Sequence, residues 1–247
     1  GAVLLAAAAG ATVILHGGGR VPIKRAPGVA DVLEALGWPS HLNPQTAPDF
    51  LREHHFVHLD TRAFMPAWTE QLGIREKIGL RLPFSSAEKL LDPARTGNVI
   101  VGIAHGPYLE KLGGAAQRLG LRGLIVQGLE GSCDLSPQHP ARIAEILPDR
   151  LQEMSVDPKA LGIEPQLAVR EVGADPAVSA ALIRDAFENK TDERSRGAAE
   201  AIALNAAVLL WQAGVAKDLP SGLERARLAL RNGAAAEKLV RPAGRKQ

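Results

Sequence analysis

The stretch from Asn98 to Gln127 constrains the fold more than any other part of the sequence. Residues 98–104 are rich in β-branched and apolar side chains, and Pro107 begins a segment whose apolar residues recur at helical spacing. Gly120 ends that segment, and a second apolar run follows at 123–127. A strand, a helix and a strand within about 30 residues imply a right-handed crossover between parallel strands. We therefore predict a parallel β-α-β unit here.

The same alternation of strand and helix patterns extends along the chain. The predicted helices cover residues 2–9, 29–36, 43–55, 176–188, 195–213 and about 221–233, and the further short strands cover 12–15 and 56–59. Residues 137–176 are proline-rich and are interpreted as irregular connections with short strands. This pattern favours an α/β fold with a mostly parallel central sheet flanked by helices. In such folds ligands bind beyond the carboxyl ends of the strands, so we expect the glycine-containing loops to share one end of the sheet.

Composition limits the function classes. The 247 residues suit one domain over 1–247, and the net charge of +2 argues against a nucleic-acid binder that is basic throughout. No apolar run reaches 18 residues, so we expect no membrane span. The single Cys133 fits a reducing compartment, and we expect a cytoplasmic protein. The sequence has no initiator Met, and we expect it to begin inside a longer protein.

A glycine-rich, basic loop follows the first predicted strand. One interpretation is a phosphate cradle, in which backbone N–H groups and cations surround the oxygens. The other is a flexible surface loop with solvated charges. The candidate ligand-binding residues of this loop are His16, Gly17, Gly18, Gly19, Arg20, Lys24 and Arg25.

A second loop, from Gly128 to Ser136, follows the β-α-β unit. It contains Glu130, Cys133 and Asp134, which could form a reduced metal site, since carboxylate oxygens are the ligands that Mg²⁺ prefers. Alternatively, the loop is a turn in which a polar side chain caps the local backbone. A reactive Cys133 is the less favoured interpretation, because no cation in the sequence is placed to lower its pKa.

Three histidines close in sequence invite a metal interpretation. His54 and His55 should point to different faces of a helix, while His58 lies on a strand. We therefore favour surface and boundary histidines over a metal cluster.

Three segments together resemble the anthranilate phosphoribosyltransferase-like family. Leu15–Arg20 is similar to the family's Lys-His-Gly-Asn-Arg element, and Ala30–Gly37 reads Ala-Asp-Val-Leu-Glu-Ala-Leu-Gly, as in the family. Gly128–Ser136 resembles the family's Asp-Gly-Leu-Asp-Glu-Leu-Ser loop. Ala203–Gly214 resembles its Leu-Leu-Asn-Ala-Ala helix. The order and spacing of these segments also match the family.

The resemblance implies a ligand, a cofactor and a further subdomain. Phosphoribosyl pyrophosphate and Mg²⁺ would bind between the α/β part and a small helical subdomain. Residues 62–80 would contribute to that subdomain, whose N-terminal helices this chain lacks. The His16–Arg25 loop would contact phosphates, and Glu130 and Asp134 would hold the metal. By analogy the protein would form a homodimer.

Several residues depart from the family pattern. Leu15 replaces a Lys, Gly18 replaces an Asn, Cys133 replaces one acid of the metal pair, and Thr69–Glu70 stands in place of paired arginines. We therefore expect Mg²⁺ to bind weakly unless a phosphorylated ligand is present. We expect anthranilate to be a poor acceptor, since a buried carboxylate without a cationic partner loses about 2–5 kcal/mol.

Two function classes remain open at this stage. One is a phosphoribosyl or other pentosyl transferase that works by positioning and electrostatic stabilisation. The other is a protein that binds single-stranded nucleic acid on the same fold. The fold alone does not choose between them.

Overall fold

A computed structural model describes residues 1–17, 28–67, 74, 77–78, 83–164 and 175–240. The strands are β1 (Val13–Gly17), β2 (Phe56–Asp60), β3 (Asn98–Gly102), β4 (Arg122–Gln127), β5 (Ala141–Ile146) and β6 (Leu151–Val156). The helices are α1 (Ala2–Ala8), α2 (Val29–Leu36), α3 (Ala47–His54), α4 (Thr61–Phe64), α5 (Phe84–Ala87), α6 (Pro107–Arg118), α7 (Pro176–Phe187), α8 (Glu193–Gln212), α9 (Leu219–Arg231) and α10 (Ala234–Leu239).

The chain forms two compact units. Unit 1 consists of the described residues within 1–81 and 167–247, and unit 2 of those within 82–166. The α/β class is confirmed, while the described strands lie in two separate sheets. One glycine-containing loop follows β1 in unit 1 and the other follows β4 in unit 2, so the expectation that both loops share one end of a sheet stays a prediction.

Small residues allow the helices of unit 1 to pack closely. Helix α8 packs against α1 and α9, and Ala203, Ala206 and Ala207 are fully buried on it. A Cβ added at Gly222 of α9 would lie 2.7 Å from the Ala207 carbonyl oxygen, so only glycine permits this approach without a shift. The many alanines in the sequence thus serve close helix contacts.

Unit 2 contains the predicted crossover. Strands β3 and β4 are parallel, with Asn98 opposite Arg122, and α6 connects them. Helix α6 buries Leu109, Leu112 and Ala116 in a core shared with the sheet. The parallel β-α-β prediction is confirmed.

Three local predictions need correction. Strand β1 continues through His16 and Gly17, which the sequence assigns to the loop. Helix α3 starts at Ala47 and not at Asn43, because the Asn43 Oδ1 accepts hydrogen bonds from the N–H groups of residues 45 and 46 and closes a turn. Residues 141–156 form a regular antiparallel hairpin, β5–β6, which continues the sheet beyond β4.

Several predictions fall wholly or largely outside the described residues. They concern the loop residues from Gly18 to Arg25, the Thr69–Glu70 pair and most of residues 62–80. The single-domain assignment and the helical subdomain therefore stay predictions. Among the described helices, none is long and apolar enough to cross a membrane.

Candidate functional site

The carboxyl ends of β1 and β2 lie side by side in unit 1. The register of these parallel strands places Gly17 opposite Asp60. The His16 ring packs edge-on against Phe64 of α4, with ring centroids 6.3 Å apart. A Cβ added at Gly17 would meet no atom of the described residues within 4 Å. This is the edge at which a ligand of an α/β protein binds.

A network of charged side chains surrounds Asp60 at this edge. The Asp60 carboxylate is buried and accepts hydrogen bonds from the Arg62 backbone N–H and from its Nε, both at 2.9 Å from Oδ1. The Arg62 Nη2 donates to the other oxygen. His41 lies between two carboxylates, with Nδ1 3.2 Å from Asp60 and Nε2 3.3 Å from Glu34. The side chain of His41 thus links α2 to the end of β2 through polar contacts.

Asp60 remains ionised under ordinary conditions. Desolvation by burial is the largest influence and raises the pKa of its carboxyl, but the hydrogen bonds and charge of Arg62, helped by His41, outweigh it and leave the pKa below the usual value. The pKa of the Arg62 guanidinium is raised, chiefly by its hydrogen bonds to Asp60. Each group thus stabilises the charged form of the other.

The clustered histidines have structural surroundings. His58 is buried on β2, and its Nδ1–H donates to the Ser40 carbonyl oxygen at 2.6 Å. The His54 ring packs against Phe50 at 4.3 Å and Trp38 at 5.6 Å between centroids. The surface-and-boundary interpretation is therefore wrong for His58. No group of three or more metal-ligating side chains occurs among the residues that the structure describes.

The loop after β4 in unit 2 is held against the sheet by its backbone. A Cβ added at Gly102, the last residue of β3, would lie 2.2 Å from the Ser132 carbonyl carbon and 2.5 Å from the Cys133 nitrogen. A Cβ at Gly128 would lie 2.5 Å from the Asp134 carbonyl oxygen. The Leu129 N–H donates to that same oxygen at 2.8 Å. The conformation of the loop is thus set by contacts that tolerate only glycine at two positions.

Asp134, Lys89 and the Cys133 thiol are described side chains at this strand end. Desolvation raises the pKa of the Cys133 thiol to about 12, with the Asp134 charge adding to the shift and the Lys89 charge opposing it. The residue as a whole is exposed. Desolvation and the Asp134 charge both raise the pKa of the thiol, so the thiol stays protonated at neutral pH. Asp134 is exposed. The Lys89 Nζ donates a hydrogen bond to the Gly102 carbonyl oxygen.

The predicted site residues are therefore only partly located. His16 and Gly17 lie at the end of β1 in unit 1, and Asp134 lies in the loop of unit 2. The loop residues after Gly17 and the side chain of Glu130 are outside the described part of the chain. The assignment of ligand and metal contacts to these residues stays a prediction.

Sequence reasoning missed three charged residues at the two strand ends. Asp60 ends the second predicted strand and Arg62 follows it, so the rule that ligands bind at carboxyl ends could have selected both. No sequence pattern could have selected Lys89. It lies in a short 3-10 helix before β3, and only the folded structure brings its side chain to the carboxyl end of that strand.

Parallel strands connected by helices place the chain in the α/β class, whose members commonly bind ligands at the carboxyl ends of the strands. The particular group follows from comparison with known proteins. The chain belongs to the glycosyl transferase family, since the sequence profile of that family's a/b domain matches residues 1–236.

Individual relatives agree with this assignment. The chain is 34% identical over 234 residues to anthranilate phosphoribosyltransferase of Pseudomonas fluorescens strain Pf-5, covering 94% of this chain and 66% of that protein. The enzyme of the same name from Anaeromyxobacter sp. strain K is 30% identical over 238 residues, covering 96% and 69%. The chain thus spans about two thirds of the length of these relatives.

Solved structures give the same fold. Anthranilate phosphoribosyltransferase from Thermus thermophilus superimposes with a TM-score of 0.80 at 29% identity, covering 96% of this chain and 69% of that one. The Saccharomyces cerevisiae enzyme in complex with phosphoribosyl pyrophosphate and Mg has a TM-score of 0.77, with 96% and 66% covered. At 20% identity the yeast structure supports the fold alone.

Proposed function

We propose that this protein binds phosphoribosyl pyrophosphate with Mg²⁺ and transfers the phosphoribosyl group to an acceptor. The match to the glycosyl transferase family over residues 1–236 carries the proposal. The strand end at Gly17 and the closely packed loop at Asp134 support it, because both lie at carboxyl ends of parallel strands.

The proposed reaction requires the protein to position the donor and the acceptor and to stabilise the charge that develops on the sugar and the leaving group. Departure of pyrophosphate leaves a sugar with oxocarbenium character, and the rate depends on holding donor and acceptor in line. His16, Gly17 and the glycine-rich residues that follow would cradle the phosphates through backbone N–H groups. No general acid is required when the leaving group departs as a metal complex.

The residues at the Asp134 loop fit a weakly held magnesium ion. Asp134 offers a hard, exposed carboxylate, while the protonated Cys133 thiol is a poor ligand for Mg²⁺. Mg²⁺ is commonly held by one or two carboxylates together with substrate phosphates, and it keeps several waters. When bound, the ion would neutralise charge on the pyrophosphate. We therefore expect its affinity to depend on the phosphorylated ligand.

Anthranilate is expected to be a poor acceptor, although the relatives named above are anthranilate phosphoribosyltransferases. The guanidinium of Arg62 is already bonded to Asp60 on both carboxylate oxygens. An anionic acceptor that approached Arg62 would therefore meet a balanced ion pair instead of an available cation. Leu15 and Thr69–Glu70 also remove cations that the family pattern contains.

Binding of single-stranded nucleic acid has no support among the relatives and is not proposed. A direct check remains worthwhile, since three cations follow Gly17 in the sequence. A phosphate-backbone ligand would lose affinity with salt at a slope of roughly −0.7 per contact. Absence of binding to a labelled oligonucleotide at low salt would eliminate this alternative.

Calorimetry on the full-length protein tests the proposed function. Titration with phosphoribosyl pyrophosphate in the presence of Mg²⁺ should give saturable binding, and a suitable acceptor should then cause release of pyrophosphate. In a fluorescence assay, anthranilate should be consumed slowly under the same conditions. No binding of phosphoribosyl pyrophosphate with Mg²⁺ would overturn the proposal, and rapid loss of anthranilate would overturn the expected acceptor preference.

A further inference from the structure

The Asp60–Arg62 pair at the carboxyl end of β2 still offers hydrogen-bond donors. Asp60 accepts from the backbone N–H, the Nε and the Nη2 of Arg62. A guanidinium carries five N–H donors, and those on Nη1 lie outside this fork. None of the described residues accepts a hydrogen bond from Nη1, and the Arg62 side chain is 44% exposed. A ligand at this strand end can therefore accept from Arg62, although the two charges of the pair balance.

A donor that belongs to a balanced pair treats charged and uncharged ligands differently. A carboxylate that accepts from Arg62 would come close to the Asp60 carboxylate, which is ionised at neutral pH, and the two anions would repel each other. This repulsion offsets the attraction of the guanidinium. An uncharged oxygen, such as that of a carboxamide or a ring carbonyl, accepts the same N–H without the repulsion. The pair thus favours an uncharged oxygen over a carboxylate.

Two aromatic side chains at the neighbouring strand end suit a planar ligand. The rings of His16 and Phe64 are half-buried and pack edge-on with centroids 6.3 Å apart. Phe64 follows Arg62 by two residues, and Gly17 after His16 lies opposite Asp60 in the strand register. A ring-shaped ligand can pack against such side chains while its polar substituent faces a hydrogen-bond donor.

We propose that Arg62 binds the acceptor through Nη1 and that the acceptor is a planar molecule with an uncharged oxygen in place of a carboxylate. This inference rests on the proposed function and names the class of acceptor for it. Arg62 is then a binding residue. Asp60 is a positioning residue, because it holds the guanidinium in place and at the same time repels carboxylates. Removal of the Asp60 charge should therefore change which acceptor the protein prefers.

The test compares two probes that differ in one group. Anthranilate and 2-aminobenzamide share the same ring and amine, but the carboxylate of the first is an uncharged carboxamide in the second. Both are titrated by calorimetry into the full-length wild type, Asp60→Asn, Arg62→Gln and Asp49→Asn. Mg²⁺ and inorganic pyrophosphate are present, since pyrophosphate contains no ribose and permits no transfer. Asp49→Asn serves as the matched control, because Asp49 is 73% exposed in its pair with Arg52.

The wild type should bind 2-aminobenzamide about tenfold more tightly than anthranilate. Asp60→Asn should bind anthranilate about tenfold more tightly than the wild type does, because the Arg62 charge is then no longer balanced by Asp60. A purely structural role of Asp60 would weaken both probes instead. Arg62→Gln should weaken 2-aminobenzamide by about tenfold, since the shorter side chain loses the donor. Asp49→Asn should behave as the wild type does.

Two results would overturn the inference while leaving the proposed function intact. One is a wild type that binds phosphoribosyl pyrophosphate with Mg²⁺ but does not prefer 2-aminobenzamide, or binds neither probe. The other is an unchanged preference in a folded Asp60→Asn. Thermal unfolding monitored by circular dichroism shows whether Asp60→Asn is folded; if it is not, the preference of the wild type and the affinity of Arg62→Gln for 2-aminobenzamide decide. Failure of the wild type to bind phosphoribosyl pyrophosphate with Mg²⁺ would instead overturn the proposed function together with this inference.

Discussion

The carboxyl ends of β2 and β3 are built by different physical means. In unit 1, the end of β2 is organised by charge, since Asp60 accepts hydrogen bonds from Arg62 and lies 3.2 Å from His41. In unit 2, the end of β3 is organised by volume, because Gly102 leaves no room between the strand and the following loop. The stability conferred by the end of β2 should therefore change with pH and with loss of charge. The stability conferred by the end of β3 should instead fall when a single methyl group is added.

Substituting alanine for the glycine at each strand end gives the largest contrast. Gly102→Ala would place its Cβ 2.2 Å from backbone, and we expect it to destabilise the protein by about 3 kcal/mol. Gly17→Ala would meet no described atom within 4 Å, and we expect it to be neutral or to stabilise by up to about 1 kcal/mol. Urea denaturation of both variants measures the difference. Equal destabilisation would show that the two ends are not built differently.

Removing the charge of Asp60 tests the electrostatic end. Asp60→Asn takes the negative charge from a carboxyl that is only 9% exposed, and we expect a loss of about 2–3 kcal/mol. Asp49→Asn is the matched control, since Asp49 is 73% exposed in its pair with Arg52 and should contribute less than about 0.5 kcal/mol.

The pH dependence of the Asp60 contribution has a defined direction. Because the folded state lowers the pKa of this carboxyl, its contribution is present above the unfolded-state pKa of 3.8. It is lost as the pH falls through the lower folded-state pKa. Denaturation curves of wild type and Asp60→Asn should therefore converge in acid. Parallel curves down to the lowest accessible pH would contradict this assignment.

Restoring an acid to the loop of unit 2 should sharpen its metal preference. Cys133→Asp adds a hard oxygen ligand next to Asp134, and we expect up to about tenfold tighter Mg²⁺ binding when phosphoribosyl pyrophosphate is present. Cys133→Ser serves as the control, because it is uncharged and similar in size. Calorimetry that finds the same ligand-dependent Mg²⁺ affinity for both variants would contradict the metal-loop interpretation.

The smallest effect expected is a pH dependence from buried His58. Desolvation is the main cause that lowers the pKa of its imidazole below 6.5. The unfolded state therefore binds more protons, and stability should fall as the pH drops below 6.5, by at most about 1.4 kcal/mol per pH unit. His58→Asn, which retains a donor for the Ser40 carbonyl, should reduce this slope.

His54, whose pKa is also lowered by desolvation, should leave part of the slope in place. Denaturation at pH 7.5 and 5.5 measures the difference between wild type and His58→Asn. An unchanged slope in the variant would assign the effect to other groups.

The regular elements can be predicted where their signals are local. Contiguous apolar runs in the sequence predict the β3–α6–β4 crossover. Gly37 and Gly120, which have positive φ angles, mark the ends of their helical segments. The β5–β6 hairpin escapes prediction because prolines flank both strands and obscure the alternation of residues 141–146. Helix α10 escapes prediction because it follows α9 after one left-handed glycine, Gly233, whose sequence signal indicates only the end of a helix.

The candidate site is less accessible to sequence reasoning because its contacts are between distant residues. The loop glycines are visible as a pattern, but the pairing of His41 with Asp60 joins positions on different elements. The approach of Lys89 to Gly102 likewise depends on tertiary structure. A pattern of residue types can indicate which loop is a candidate for ligand binding. It does not show which charged side chains near that loop are already paired with other residues.

The division of the chain into two units has a consequence for its synthesis. Unit 2 is one uninterrupted stretch, whereas unit 1 is completed only when α8 and α9 reach α1. A chain emerging from the ribosome can therefore form the sheet of unit 2 while α1 still exposes its apolar face. Leu4 and Leu5 are fully buried in the folded protein, and they can become buried only after α8 and α9 have been translated. Helix α1 thus keeps its apolar face exposed for longer during translation than the sheet of unit 2 does.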